Sequence, residues 1–370
     1  LAASLQLFGD DAFYRWDSMH LAWSYSDLPP LTAFFIHLGT AVAGDSVLAV
    51  RTLFLLSGLA LPAAIYFLAQ PVAGRERALC SAGLSLLLPA TATIGVMAVP
   101  DALLLTQCTL MLGCLERATR SSGPAWWLAT GVIGCLGFLT HYRFLFLPLP
   151  LGLAFLLYPA LRAHLARPGP WIALGLTLRR LVPSLLFNLG NDFEAVGFHF
   201  SRRHPWAFHS EGLNYPLQQA AAVSPVLYGF MIGALVFSMR KALRGDPLHA
   251  MLSSVSLFYM LGLSLLAPWV DQTSTTIHWA WFGYVPMLVV LPEVLAALWA
   301  RGRWWRGIVA GGLALAAVFV AASLALMLAC LHVDSLPPWL QARVSVIMVG
   351  WDALREEVAR HYRPGEHLYS

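Results

Sequence analysis

Charge is what this chain has least of. Charged residues make up 11% of its 370 positions, where a soluble domain carries about 25%. Lys241 is the single lysine. A chain this long, 58% hydrophobic and with a mean hydropathy of +0.67, has too little polar surface for an ordinary soluble enzyme and reads as a polytopic membrane protein. Cysteine is scarce as well. Cys80, Cys108, Cys114, Cys135 and Cys330 all lie in apolar runs and none forms a CxxC pair, so they read as small hydrophobes rather than disulfides or metal ligands. There is no low-complexity tract, no internal repeat and no DxD motif. The chain opens on Leu1 without a basic n-region, so no signal peptide is read.

What is present is a series of apolar runs. A helix that crosses a bilayer needs roughly 17–25 mostly apolar residues. Ten segments fit this description: 47–69, 78–98, 101–116, 125–140, 144–161, 170–187, 220–239, 248–269, 282–300 and 307–331. The expected fold is therefore all-α and polytopic, with about ten transmembrane helices. Segment 29–44 is apolar but opens on Pro29-Pro30, which marks it as interfacial or re-entrant. The expected organisation is a membrane domain over 1–331, with a first outer loop at 9–45 and a large outer loop at 188–219, followed by a short tail at 332–370.

The sparse basic residues set an orientation. Arg75, Arg77, Arg117, Arg120, Arg162, Arg167, Arg240, Lys241, Arg244, Arg301, Arg303 and Arg306 fall in one set of loops. The alternate loops hold Arg15, Arg143, Arg202 and Arg203. The positive-inside rule puts the first set in the cytoplasm. The opening stretch, the 188–219 and 270–281 loops and the tail then lie on the outer face. A helix before Leu1 would complete an ordinary topology.

The outer loops carry the chemistry-bearing residues. The stretch GDDAFYRWDSMHLAWSYSDLPPL (9–31) begins with adjacent acids. On a helix from Asp11 to Trp23, Asp10, Tyr14 and Asp17 share one face, and Asp11, Arg15 and Ser18 share the next. A structural role is open for both acids: Asp10 as a helix cap, Asp11 paired with Arg15. Against it, a bare cap does not need two acids. Asp27, before Leu28 and the double proline, suits a turn. His141 and Arg143 end the fourth span, and His278 stands among Trp279 and Trp281. His199, His204 and His209 recur every five residues, a spacing that does not make a helical metal pair. Arg179 and Arg180 fall inside a span, where a charge costs several kcal/mol. They mark either a broken helix with the arginines at a cytoplasmic interface, or an arginine facing an internal cavity.

The run DDAFYRWDSMHLAWSYSDLPPLTAFFIHLGT, then GDSVLAVR (44–51), resembles the first outer loop of GT-C membrane glycosyltransferases, in the branch related to protein O-mannosyltransferases and lipid A aminoarabinose transferases. Further similar stretches are PDALLL (100–105), GFLTHYRF (137–144), FNLGNDFEAVGFHF (187–200), IHWAWFGYVPML (277–288) and GWDAL (350–354). Their order covers nearly the whole chain. The resemblance implies an enzyme that moves a sugar from a polyprenyl-phosphate carrier to a lipid, glycan or protein acceptor. Its setting would be a bacterial inner membrane, with the active site on the periplasmic face.

Carried over, the acidic pair of the first loop, Asp10 and Asp11, supplies the general base. The donor-binding candidates are Arg15, Asp27, His141, Arg143, Arg202, Arg203 and His278. Many relatives carry Lys where this chain has Leu28 and His141, and Arg143 is placed to take over the phosphate. The reading needs no cofactor and names no metal ligand, and a divalent metal is compatible with it. Nucleic acid is not expected as a partner. The alternative class, a multi-span transporter or flippase, calls for repeats and ionisable groups at span centres, whereas most polar residues here sit in loops.

Overall fold

The structure, a computed structural model, describes residues 1–25, 28–193, 197, 204, 206–270, 277–341 and 350–361. All regular elements among them are helical. The first, α1 (Gly9–Met19), is started by its third residue. Asp11 accepts the Phe8 backbone N–H through Oδ2 at 3.2 Å. The cap expected of Asp10 is thus made by Asp11, one residue further into the first turn, where a carboxylate reaches back to the N-cap backbone. α2 (Leu31–Ala43) follows the double proline and buries Leu31, Ala33 and Ile36. At about 1.5 Å per residue, its 13 residues are too few to cross a bilayer core.

α3 (Val47–Ser85) is a hairpin. Its 39 residues break at Gly74, whose φ of 77° lies in the left-handed region that glycine tolerates. The chain then returns along its own first half. A Cβ on Gly58 would lie 3.0 Å from the Cα of Gly95, so only two glycines allow this approach. The expected span 78–98 is therefore not one continuous helix. The last turns of α3 carry it first, then the short Pro89–Thr93 helix and a 3-10 turn at Ile94–Val96. Pro89 lacks the N–H that would continue the ladder.

α4 (Pro100–Arg120) and α5 (Ala125–Thr140) pack against each other and against α3 and α6 (Pro168–Arg179). Gly131 and Gly134 of α5 let α6 approach within contact of Ala173, Leu176 and Thr177, the small-residue packing usual in membrane bundles. Between α5 and α6 the chain forms a pair of helical segments, Tyr142–Leu157 and Pro159–Ala166, bent by 97°. α7 (Leu181–Gly190) continues α6 after a break at Arg180. Four longer helices complete the bundle: α8 (Pro225–Leu243), α9 (Pro247–Val270, with a π turn at Phe258–Gly262), α10 (Trp281–Trp299) and α11 (Arg303–Ala329).

Six helices among the described residues are long and apolar enough to cross a membrane, or seven if the bent pair is one span. The ten apolar runs all lie in the helical bundle, but several are short or broken: α5 has 16 residues. Large apolar side chains face outward all round, among them Leu59, Leu157, Val318 and Trp304. On a soluble protein such a surface would aggregate; here it is the lipid-facing surface of an integral membrane protein.

The two ends of the bundle differ. From Val47 to Gly74 α3 spans about 40 Å at 1.5 Å per residue, which separates the first loop from the arginine-rich end. There Arg77, Arg120, Lys241, Asp246 and Glu293 line one cavity. Lys241 donates to both Glu293 oxygens at 3.0 and 3.1 Å. Arg117 lies 3.6 Å over the Phe67 ring. At the other end, the Trp351 backbone N–H donates to Gln6 Oε1 at 3.1 Å, tying the start of the helix Trp351–His361 to the beginning of the chain.

Candidate active site

The acidic pair is split by its surroundings. Asp11 is fully buried and Asp10 is exposed. Asp11 Oδ2 accepts from Arg51 Nε at 2.8 Å and Nη2 at 2.6 Å, and from Phe8 N–H; its Oδ1 accepts from the Ala98 backbone N–H at 2.6 Å. A carboxylate has about four lone-pair sites, so these donors fill it. Arg51, also fully buried, spends its remaining N–H groups on the carbonyls of Ala2, Leu5 and Gln6. The Arg51–Asp11 pair thus clamps the chain's first residues, the start of α1 and the turn at Ala98 together.

Arg15 does not pair with Asp11, which Arg51 already occupies. It reaches Ser18 Oγ at 3.0 Å and Asp45 at 2.9 Å, bridging α1 to the turn before α3. On this arrangement Arg15 is a brace for the first loop.

A second cluster assembles three residues beyond Ala98. Asp101, at the start of α4, lies 3.1 Å from Arg143 Nη2 and 3.6 Å from His278 Nε2. His141 closes on Arg143 from two sides. Its Nδ1 is 2.9 Å from the Arg143 backbone N–H and its Nε2 is 3.2 Å from Arg143 Nε. A neutral imidazole has one acceptor nitrogen, so one of these is a full hydrogen bond and the other a contact. The guanidinium also lies 5.4 Å from the centre of the Trp279 ring. Its Nη1 is buried and donates to no acceptor among the described residues. A guanidinium nitrogen in that state costs free energy until an anion's oxygen meets it.

Several local features hold these groups. His141 adopts an extended conformation that ends α5, and its ring caps the following 3-10 turn that carries Arg143. The Tyr142 hydroxyl is 3.1 Å from Ser24 Oγ, which joins this turn to the first loop. The turn bearing His278 is fixed by buried Gln219, which donates to the Ile277 carbonyl at 2.9 Å and accepts from Tyr284 Oη at 2.6 Å. His204, another of the sequence candidates, is buried with Nδ1 3.0 Å from the Val270 carbonyl, a packing role.

The two clusters are neighbours. Three extended residues span at most about 11 Å, and Ala98, bound by Asp11, is three residues from Asp101. The structure therefore brings Asp10, His141, Arg143 and His278 to one end of the bundle. Asp27, Arg202 and Arg203, and His199 with them, lie outside the described residues. Arg180, at the break between α6 and α7, packs 5.5 Å from the Trp23 ring of the first loop. That contact puts it with the first loop, not at the arginine-rich end, and beside a cavity. Among the described residues no cluster of three histidine, cysteine or acidic side chains is spaced to hold a metal ion.

Arg51 and Asp101 are the residues that the sequence reading left without a role. Arg51 had one signal, a lone arginine at the edge of an apolar span. Asp101 had the Pro-Asp that opens α4, a pattern shared with any helix start favoured by the dipole.

Residues 27–187 match the dolichyl-phosphate-mannose-protein mannosyltransferase family. The chain is 27% identical over 304 residues to the lipid A galacturonosyltransferase RgtD of Rhizobium johnstonii, covering 80% of this chain and 62% of that protein. It therefore spans less than two thirds of that relative's length. Its fold is similar to ArnT from Cupriavidus metallidurans bound to undecaprenyl phosphate, with a TM-score of 0.68 at 16% identity over 97% of this chain and 69% of ArnT. It is also similar to the apo oligosaccharyltransferase of Archaeoglobus fulgidus, with a TM-score of 0.57 at 14% identity over 98% of this chain and 55% of that one. The matched segment and the relative make the chain similar in sequence to membrane glycosyltransferases, and its fold is that of ArnT.

Proposed function

We propose that this protein transfers a sugar from a polyprenyl-phosphate carrier to an acceptor hydroxyl at the membrane face that carries the first loop. The observation that carries the reading is the Arg143 cluster. It is a partly exposed guanidinium, fixed by Asp101 and His141, with one buried nitrogen that has no acceptor among the described residues. Arginine suits a phosphate because it stays charged and bonds bidentately. The structural relative ArnT, bound to undecaprenyl phosphate, supports this class of donor.

The chemistry follows from the placement. The acceptor oxygen attacks the anomeric carbon, and the bond from that carbon to the phosphate oxygen breaks. The electron pair stays on the carrier phosphate, where Arg143 stabilises the charge. The acceptor proton passes to Asp10, the exposed acid of the pair. A positioned carboxylate base contributes about 10²–10⁴-fold. Asp11 serves by holding Asp10 close to the Arg143 cluster. The basic-residue alternation supports the outer face for this site, and the similarity to a bacterial enzyme supports the periplasmic side of an inner membrane. The mode of binding of Leu28, buried in the first loop, differs from that of the lysine many relatives carry, since it offers the phosphate no charge. The name of the similar RgtD supports a lipid acceptor.

The test is turnover of a polyprenyl-phosphate sugar by the purified protein, followed as release of the free carrier phosphate by mass spectrometry. Asp10→Asn is expected to retain carrier binding and lose at least 100-fold in turnover. Near-normal turnover in that variant would remove Asp10 as the base.

A further inference from the structure

A single arginine stands in an apolar cavity on the lipid side of the first loop. The cavity has a volume of about 520 Å³ and is lined by Leu21, Ala22, Trp23, Pro30, Leu31, Phe34, Leu139 and Arg180. Among the described residues of that lining, Arg180 is the only charged one. Its one recorded partner among the described residues is the Trp23 ring, 5.5 Å away. No carboxylate among the described residues pairs with it. It lies within the apolar 23-residue stretch Pro168–Gly190, where a charge must find a polar partner or a ligand. Arg180 stands at the junction of α6 and α7 and lines the cavity there.

The rim says what enters. Leu21, Trp23 and Phe34 are large apolar side chains left exposed around one cation. A water-borne acceptor would gain nothing from such a rim. An amphiphile with one anionic group and an apolar chain matches both parts, chain against the rim and anion against Arg180. The position says which amphiphile. Leu139 of the lining is four residues before Arg143, and the Ser24–Tyr142 hydrogen bond joins the first loop to the turn that carries Arg143. A lipid that only coats the protein has no reason to sit beside the proposed phosphate-binding cluster.

We propose that the Arg180 cavity is a loading position for the polyprenyl-phosphate carrier. Arg180 takes the phosphate as it leaves the bilayer surface, and Arg143 receives it for the reaction. This rests on the donor class proposed above and adds a separate site to it. Arg180 is a binding residue, not a catalytic one, because the reacting bond is broken only after the phosphate has moved inward. The arrangement also accounts for a charge that has no counter-ion among the described residues.

The experiment measures undecaprenyl phosphate binding by native mass spectrometry of the full chain, in competition with phosphatidylglycerol, and steady-state kinetics with the sugar-loaded carrier. Arg180→Gln is expected to lower carrier retention at least tenfold and to raise KM by a similar factor, while kcat falls less than threefold. Arg180→Lys is expected to restore KM to within threefold. Leu139→Trp, which fills the cavity without touching the charge, is expected to raise KM as Arg180→Gln does. Unchanged carrier retention and KM in Arg180→Gln overturn the proposal, as does a fall in kcat at constant KM. Loss of phosphatidylglycerol in equal proportion overturns it in favour of a resident-lipid site. Arg143→Ala run in parallel separates the two readings. If it loses turnover while Arg180→Gln behaves as wild type, the donor assignment stands and only the loading position fails. A wild-type protein that binds no undecaprenyl phosphate overturns both.

Discussion

Asp11 and Arg51, forty positions apart, form a fully buried ion pair with Nη2 2.6 Å from Oδ2. The pair joins α1 to α3 and, through Ala98, to the turn before α4. One residue away, Asp10 stays exposed. Two adjacent acids thus have opposite fates, because one faces an arginine inside the bundle and the other faces out of it.

Removing one partner of the buried pair leaves the other charge without compensation, a loss of about 3–5 kcal/mol. Asp11→Asn and Arg51→Leu are each expected to unfold markedly earlier in a thermal melt of the detergent-solubilised protein. Asp10→Asn is expected to melt as wild type does. If Asp11→Asn melted normally and lost only turnover, Asp11 would be the reacting acid instead.

Arg143→Ala removes the guanidinium and its buried Nη1. Weakening of carrier binding by about 1.5–3 kcal/mol is expected, the range for a hydrogen bond to a charged group. Titration of undecaprenyl phosphate into the purified variant measures this directly, and equal affinity in wild type and variant argues against the assignment.

Asp101 positions Arg143 and His278 without touching the substrate in the proposed reaction. Asp101→Asn keeps the shape and removes the charge. Turnover is expected to fall by an order of magnitude or more, in the manner of a misaligned reacting group, with Asp101→Glu recovering part of it. A variant with unaltered kcat and KM would reduce Asp101 to a helix-start residue.

The pair of Arg15 with Asp45 is a different case, since Asp45 is exposed. Exposed ion pairs contribute about 0–1 kcal/mol. Asp45→Ala is expected to shift the melting temperature little and to leave carrier binding intact. A loss of binding in that variant would return Arg15 to the donor site.

Gly95 meets the backbone of α3, where an added Cβ would lie 3.1 Å from the Phe54 carbonyl oxygen and 3.2 Å from Leu55 Cα. Gly95→Ala is expected to destabilise by about 1–3 kcal/mol, as overpacking does. Melting of this variant alongside Gly229→Ala, where nothing lies within 4 Å, separates the close approach from the loss of a glycine as such.

The sequence by itself determined the solvent of this protein and the class of its fold. Low charge and long apolar runs leave no alternative to a helical membrane bundle, because a backbone in lipid must satisfy its own hydrogen bonds. It also singled out Asp10, Asp11, His141, Arg143 and His278, through loop position and resemblance. Only the tertiary structure decided which acid is buried, because Arg51 comes from another helix and its approach leaves no mark in the local pattern around Asp11. The same holds for Asp101, a plain helix start until Arg143 and His278 arrive from elements far along the chain. The broken return of the α3 hairpin was hidden too, since hydropathy reads an apolar run as one helix and does not register two glycines in contact. Arg180 was visible as an anomaly in a span. Its place was settled by the packing of Trp23 and the cavity it lines, which are properties of the folded bundle alone.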